Sequence, residues 1–247
     1  MAALELDKLS WPEVEREIAA GRDTVVVAFG ATEQHGPHMP LATDALIGDH
    51  FARELAERLS GFAAPTVRIG CSSHHLGYPG TISIADETFH AIVADVVSSL
   101  ATGGFRRAVL IPTHGGNFAP LAAALEKLGD DPGIEVVALT DLTVLLEVAQ
   151  LGATEFEVPL ERGGLHAGEW ETSMMAAIHP ELTDLDAAEP GYIGDLESAI
   201  GRLFEGGVRA LSENGVIGDP TAASPEHGRL YWDRALDLAV EQIDAQS

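Results

Sequence analysis

Residues 31–44 read ATEQHGPHMPLATD and place Glu33, His35, His38 and Asp44 within fourteen positions. Imidazole nitrogen and carboxylate oxygen are the donors that divalent zinc and manganese accept readily. Glu33 and His35 are two apart. In an extended segment their side chains point the same way, so both can enter one cavity and each can serve a different ion. Asp44 has two oxygens and can bridge two ions; its place at the start of a helical pattern suits an N-cap equally well. His38 reads as a loop residue or one standing behind the ligands.

Two further clusters extend the set. His114-Gly115-Gly116-Asn117 falls at a strand-to-helix turn, where two glycines let the backbone approach a ligand closely and Asn117 suits a helix cap. Residues 166–173 read HAGEWETS. His166 and Glu171 are five apart, less than a turn and a half if both are helical. Glu169 and Glu171 face different directions on a helix, so at most one enters a given metal shell and the other makes a surface contact or supports a ligand. Thr172 and Ser173 are hydrogen-bond donors suited to that supporting layer. The loop 72–81, SSHHLGYPGT, offers Ser73 and His75 either as pocket lining or as a polar loop.

Alternating elements must hold these groups. Ser10 is a candidate N-cap, with Pro12 and Glu13 in the first turn of a helix ending near Ala20. Apolar runs at 25–29, 65–70, 107–112 and 135–140 predict buried strands. Residues 44–59, 86–101 and 117–128 predict helices between them, followed by a short helix to about 151. Strands alternating with helices imply parallel βαβ units, whose ligand sites lie beyond the carboxyl ends of the strands. Glu33, His35 and His114 all fall there. Residues 153–164 read as a loop over the site, 166–178 as a helix, 196–211 as a helix, and 224–246 as a closing helix.

The composition excludes several classes. There are 14 basic and 39 acidic residues, giving a formal net charge of −25, and lysine occurs only at positions 8 and 127. Nucleic acid and anionic membranes need a basic footprint and are not expected partners. No apolar run approaches the about 18 residues of a membrane span. The first fifteen residues lack the basic and apolar regions of a secretory signal, and there is a single cysteine; both fit the cytoplasm. Walker, GxSxG and GxGxxG patterns are absent, which argues against nucleotide hydrolysis, serine-hydrolase chemistry and dinucleotide binding. The charge suggests adaptation to salt.

Four stretches taken in order resemble the creatininase family: residues 30–38 with Asp44, residues 77–83 (GYPGTIS), His114-Gly-Gly-Asn, and residues 166–173. The resemblance covers most of the chain. It implies one α/β domain over residues 1–247, of three-layer type with a mostly parallel central sheet. It implies a dinuclear centre of zinc or manganese, two divalent ions per chain, and a homo-oligomer, often a hexamer. Glu33, His35, Asp44, His114 and Glu171 are then the ligands, with Asp44 bridging, and His166 is the catalytic or substrate-contacting histidine.

The founding creatininases carry Tyr and Glu in place of Gly115 and Gly116, and Trp and Asp in place of Arg162 and Gly163. Gly115, Gly116 and Arg162 thus belong to the expected pocket, and creatinine itself is not the expected substrate. The expected reaction is hydrolysis of an amide or cyclic-amide C–N bond of a small molecule. The metals would activate water and polarise the carbonyl, and His166 would protonate the leaving nitrogen. Relatives include a mycofactocin precursor peptidase, to which residues 215–221 (GVIGDPT) point, and a formamide deformylase of flavin and deazaflavin synthesis. A non-catalytic, metal-stabilised binding protein is the competing reading from another class.

The charge generates the first prediction. If the acidic surface is adapted to salt, the melting temperature rises between low and molar KCl, because screening relieves carboxylate repulsion. A flat or falling melting temperature contradicts it.

Overall fold

Two apolar strands with alternating faces set the architecture of the computed structural model, which describes residues 3–129 and 131–246. The ends of the expected 1–247 domain (residues 1, 2 and 247) and residue 130 lie outside the described residues. In β2 (Thr24–Phe29), Val25, Val27 and Phe29 enter one core and Val26 and Ala28 the other. In β4 (Arg107–Pro112), Ala108 and Leu110 share the first core, Val109 and Ile111 the second. A strand buried on both faces must be apolar throughout. Burying each such Val or Leu contributes about 1.5–3 kcal/mol.

The sheet has five parallel strands in the order β1-β3-β2-β4-β5, completed by β1 (Leu4–Glu5), β3 (Phe62–Ala63) and β5 (Glu135–Ala138). One face packs against α1 (Trp11–Ala19), α3 (Asp86–Thr102) and α4 (Phe118–Leu128). The other packs against α2 (Thr43–Arg58), α5 (Thr143–Glu155), α7 (Glu169–Ile178) and α9 (Pro225–Ala245). Two further helices, α6 (Leu160–Gly163) and α8 (Leu196–Gly206), lie in the connections. This is the expected three-layer α/β domain.

The chain leaves β2 toward β3 on one side and leaves β4 toward β5 on the other. The crevice between the carboxyl ends of β2 and β4 is therefore the topological switch point, where such folds place ligands. The two strands pair in register from Thr24↔Arg107 to Phe29↔Pro112, so they end level and deliver Glu33 and His114 to one rim.

Several boundaries differ from expectation. The strand expected at 65–70 lies earlier, at β3. Pro65 lacks the N–H a ladder needs, although Val67 resumes pairing beside β2 through Val67 N–H to Ala28 O at 2.9 Å and Gly30 N–H to Val67 O at 2.9 Å. β1 has no counterpart in the sequence pattern, because two residues are too few to show a period. β5 ends at Ala138, short of 140. The segment 153–164 is largely helical, divided between the end of α5 and α6. The helix expected at 196–211 stops at Gly206, where Gly207 takes φ +74°. The Ser10 cap forms as expected, with Glu13 reaching back to the Ser10 N–H at 2.8 Å. Among the described residues no helix is long and apolar enough to cross a membrane.

Candidate metal centre

The strand exits are locked by Asn117. Its amide donates to Phe29 O at 2.9 Å and Gly30 O at 3.0 Å, and its carbonyl accepts from Cys71 N–H at 2.9 Å. Asn117 makes no capping bond to α4, so its expected role as a cap is corrected: it ties the end of β2 to the segment after β3. Asp44 is likewise not the N-cap. That place falls to Ala42, and Asp44 sits in the first turn of α2.

The five expected ligands converge in the interior. Glu33 and His35 are fully buried; Asp44, His114 and Glu171 are buried nearly as deeply. The two oxygens of Asp44 part company: Oδ1 lies 3.2 Å from His35 Nε2 and Oδ2 lies 3.2 Å from His114 Nδ1. Glu171 Oε1 is 3.6 Å from His35 Nε2, and Glu33 Oε1 is 3.3 Å from His114 Nδ1. The pairwise distances divide the five into His35 with Asp44 and Glu171, and His114 with Asp44 and Glu33, two half-sites sharing one carboxylate. The donor atoms that lie mutually close enough to share one ion group as Glu33–His35–Asp44, His35–His166–Glu171 and Glu33–His75–His166, which brings His75 and His166 within reach of a cation.

The spacing suits metal. Bonds of about 2.0–2.2 Å at a tetrahedral ion separate neighbouring donor atoms by roughly 3.4 Å. Both oxygens of Glu33, Asp44 Oδ2 and His35 Nε2 are buried without a hydrogen-bond partner. Orphaned buried polar atoms are costly, and here they are the donors a cation would take up.

The electrostatics make the same demand. The ion-pair partners found for Glu33, Asp44 and Glu171 are all histidines. Burial works against protonation of His35, yet Asp44 and Glu171 outweigh it and hold its pKa well above the ordinary range. His114, also buried, is raised to about 10 by Glu33 and Asp44. Despite burial, Asp44 is held far below the usual carboxylate range by His35 and His114, and Glu33 is lowered by His114. Without a cation the carboxylates recruit protons onto their imidazoles.

The other histidines behave differently. Burial and neighbouring imidazoles push His75 and His166 down, so both stay neutral. The pattern places His166 at a helix start; it lies instead on an extended bridge to Ile217, just before α7, with Nδ1 3.7 Å from Glu33 Oε1. Ala167 then takes φ +51°, a strained conformation for a residue with a Cβ. That turn lets Ala167 N–H donate to Glu171 Oε2 at 2.6 Å, leaving Oε1 for the centre. His38 is not among the converging donors; it stands behind them against Thr172 Oγ1 at 2.9 Å, with its pKa lowered by burial to about 4.

Of the expected pocket residues, His75 is at the centre, with Nε2 3.2 Å from Glu33 Oε1. Gly115 borders a cavity of about 130 Å³ that runs from Asp44, His114, His166 and Glu171 into an apolar recess of Ile111, Phe118, Val148, Leu165, Trp170 and Met174. Ser73 and Gly116 lie instead on a second, more polar cavity with His74, Asp86 and Arg209, which also touches Gly115. A side chain at Gly116 would collide with the His114 ring and the Cys71 carbonyl. Arg162 does not join the pocket: its guanidinium pairs with Asp219 Oδ2 at 2.8 Å, and its carbonyl accepts from Asp219 N–H at 2.8 Å.

Glu169 has a role that spacing alone does not reveal. It is fully buried and faces away from the centre. It accepts from Ser173 Oγ at 2.9 Å and Tyr231 OH at 2.6 Å, and contacts His227 Nδ1 at 2.7 Å. Phe156 stacks on the His227 ring at 3.7 Å. The carboxylate joins α7 to α9 on the face of the helix turned away from Glu171. Ser173 serves this network, not a metal ligand. Gln34, between the expected ligands Glu33 and His35, also carries no signal in the sequence; it contacts both His75 and His166.

The creatininase family profile, described as creatinine amidohydrolase, matches residues 7–243. The chain belongs to the creatininase family. It is 34% identical over 228 residues to the mycofactocin precursor peptide peptidase of Mycolicibacterium smegmatis, covering 89% of this chain and 83% of that one. It superposes on a manganese creatininase with TM-score 0.77 at 26% identity, covering 97% of each chain. A creatininase variant of zinc–zinc type gives TM-score 0.73 at 26% identity, covering 98% and 97%. The chain is thus a metal-binding hydrolase of the amidohydrolase type, and the resemblance carried by its four motifs holds across its length.

A metal entering the centre must displace the protons that the raised pKa values place on His35 and His114, so affinity increases with pH up to about 10 for His114. Between about pH 6 and 8, calorimetric zinc titration of stripped protein should show proton release and a Kd falling about tenfold per unit for each proton displaced; a pH-independent Kd contradicts this. The two carboxylates of α7 should separate by substitution. Glu171→Gln should lower bound metal. Glu169→Ala should keep its metal and lose about 1–3 kcal/mol of stability from stranded donors, read as a lower melting temperature. The reverse pattern would contradict the assignment.

Proposed function

We propose that this chain hydrolyses an amide-type C–N bond of a small molecule at a dinuclear centre of zinc or manganese. Glu33, Asp44 and His114 would hold one ion, His35, Asp44 and Glu171 the other, with Asp44 bridging. The observation that carries this reading is the division of the Asp44 carboxylate between His35 and His114, with Asp44 Oδ2, both Glu33 oxygens and His35 Nε2 buried and without a hydrogen-bond partner. Bound ions would supply Lewis acidity toward the carbonyl and lower the pKa of a water.

The chain's own groups do the rest. His166 is neutral, and its Nδ1 faces the ligand cluster. It can take the proton of the attacking water as the oxygen bonds to the carbonyl carbon, then deliver it to the leaving nitrogen as the C–N bond breaks. The apolar recess beside the centre would receive an aliphatic or aromatic group next to the scissile bond. A closed structural site would fill four protein positions; three donors in each half-site favour catalysis over a scaffold role.

A second reading, cleavage near the end of a peptide, is favoured by the 34% identity to the M. smegmatis peptidase and by the exposed Gly115 rim, where two cavities meet. A panel of lactams, formamides and short peptides separates the two readings. Turnover surviving complete chelation would end both.

Substitution separates the roles. Asp44→Ala should abolish activity and empty the centre. His166→Ala should keep metal near the wild-type level while activity falls roughly 10²–10⁴-fold, the usual weight of a general acid or base. Equal metal loss in both variants would make His166 a ligand.

A further inference from the structure

Gln34 touches both His75 and His166, and its own orientation is fixed independently of them. The Gly36 N–H needs an acceptor and finds Gln34 Oε1 at 3.0 Å; the Gly215 carbonyl needs a donor and finds Gln34 Nε2 at 3.0 Å. Two backbone groups of unambiguous polarity therefore set which end of the amide is nitrogen. Gly215 takes φ +89°, and a side chain there would collide with the Gln34 amide. The turn at Gly215 thus seats Gln34.

The amide has two protons. One goes to Gly215 O. The other points at His75 Nδ1, 3.0 Å away, so that nitrogen must be the bare acceptor. The His75 proton is then on Nε2, facing Glu33 Oε1 at 3.2 Å. His166 also lies 3.0 Å from the amide nitrogen, but no amide proton remains for it. Its Nε2 is 2.6 Å from the Gln34 backbone carbonyl, which can only accept. His166 therefore carries a proton on Nε2, and in the neutral ring the lone pair is on Nδ1, which faces the centre.

We propose that Gln34 is a positioning residue that fixes the tautomers of both histidines, through its side chain for His75 and its backbone carbonyl for His166. The two then present opposite faces to the reaction: His75 an N–H donor, His166 a lone pair. This rests on the amidohydrolase reading for its catalytic meaning, but the tautomers can be observed without turnover. His75 then presents an N–H toward the centre that can meet negative charge on the substrate, and is not a ligand through Nε2.

The test is long-range ¹H–¹⁵N correlation on ¹⁵N-histidine-labelled protein, stripped and zinc-loaded. Wild type should show Nε2–H at both His75 and His166. Gln34→Glu replaces the donor with an acceptor and should convert His75 to Nδ1–H while His166 stays unchanged. Gln34→Met should leave His75 mixed, keep metal near wild type, and lower kcat about 10–100-fold, the usual weight of a residue that orients groups at a metal site. An Nδ1–H His75 in wild type overturns the proposal even if neither variant folds. So does an unchanged His75 in Gln34→Glu, or full kcat in Gln34→Met. Undiminished turnover in His166→Ala would instead overturn the proposed function while leaving the tautomer result readable.

Discussion

Three buried carboxylates meet at the carboxyl ends of β2 and β4, and their need for positive charge governs the rest of the site. Glu33, Asp44 and Glu171 are at most 7% exposed, with imidazoles as their ion-pair partners. Like charges so close repel by several kcal/mol at an effective dielectric of about 20. Protons raised onto His35 and His114 answer that repulsion in the metal-free state. Divalent ions answer it better, because they also use the oxygens left without partners.

The scaffold supplies rigidity where this arrangement would otherwise relax. Asn117 binds the end of β2 to the segment after β3, so the strand exits cannot spread. Glu169 fastens α7 to α9 through Ser173, His227 and Tyr231, on the face of the helix opposite the centre. The strained turn at Ala167 adds a backbone N–H that orients the same carboxylate. Gln34 then assigns protons to the two histidines that remain neutral. Each device sits outside the ligand set and acts on a residue within or beside it.

The central strands β2 and β4 and the cluster of expected ligands at their exits are legible in the sequence because their signals are local. An apolar run bounded by turn residues marks a doubly buried strand, and a Glu-x-His at its exit marks a rim. The five ligands expected from motif order converge in space. The features that the sequence hides depend on residues far apart in the chain. Gln34 looks like a spacer until positions 75, 166 and 215 gather around it. Glu169 looks like an exposed helix residue until α9 returns to cover it. The position of Arg162 before the last motif points to the pocket, but Asp219, fifty-seven positions later, holds it elsewhere. The apolar pattern runs on through Pro65 while the hydrogen-bond ladder breaks there and resumes only as an isolated bridge at Val67, so β3 lies earlier than the pattern implies.

In the proposed centre Asp44 stands between two cations. Crystals of protein loaded with manganese or zinc, measured at the absorption edge of the metal, test this arrangement directly. Two anomalous peaks are expected, one flanked by Glu33 and His114 and one by His35 and Glu171, with an Asp44 oxygen toward each. A single peak, or one coordinated by His75 and His166 without Asp44, would contradict it.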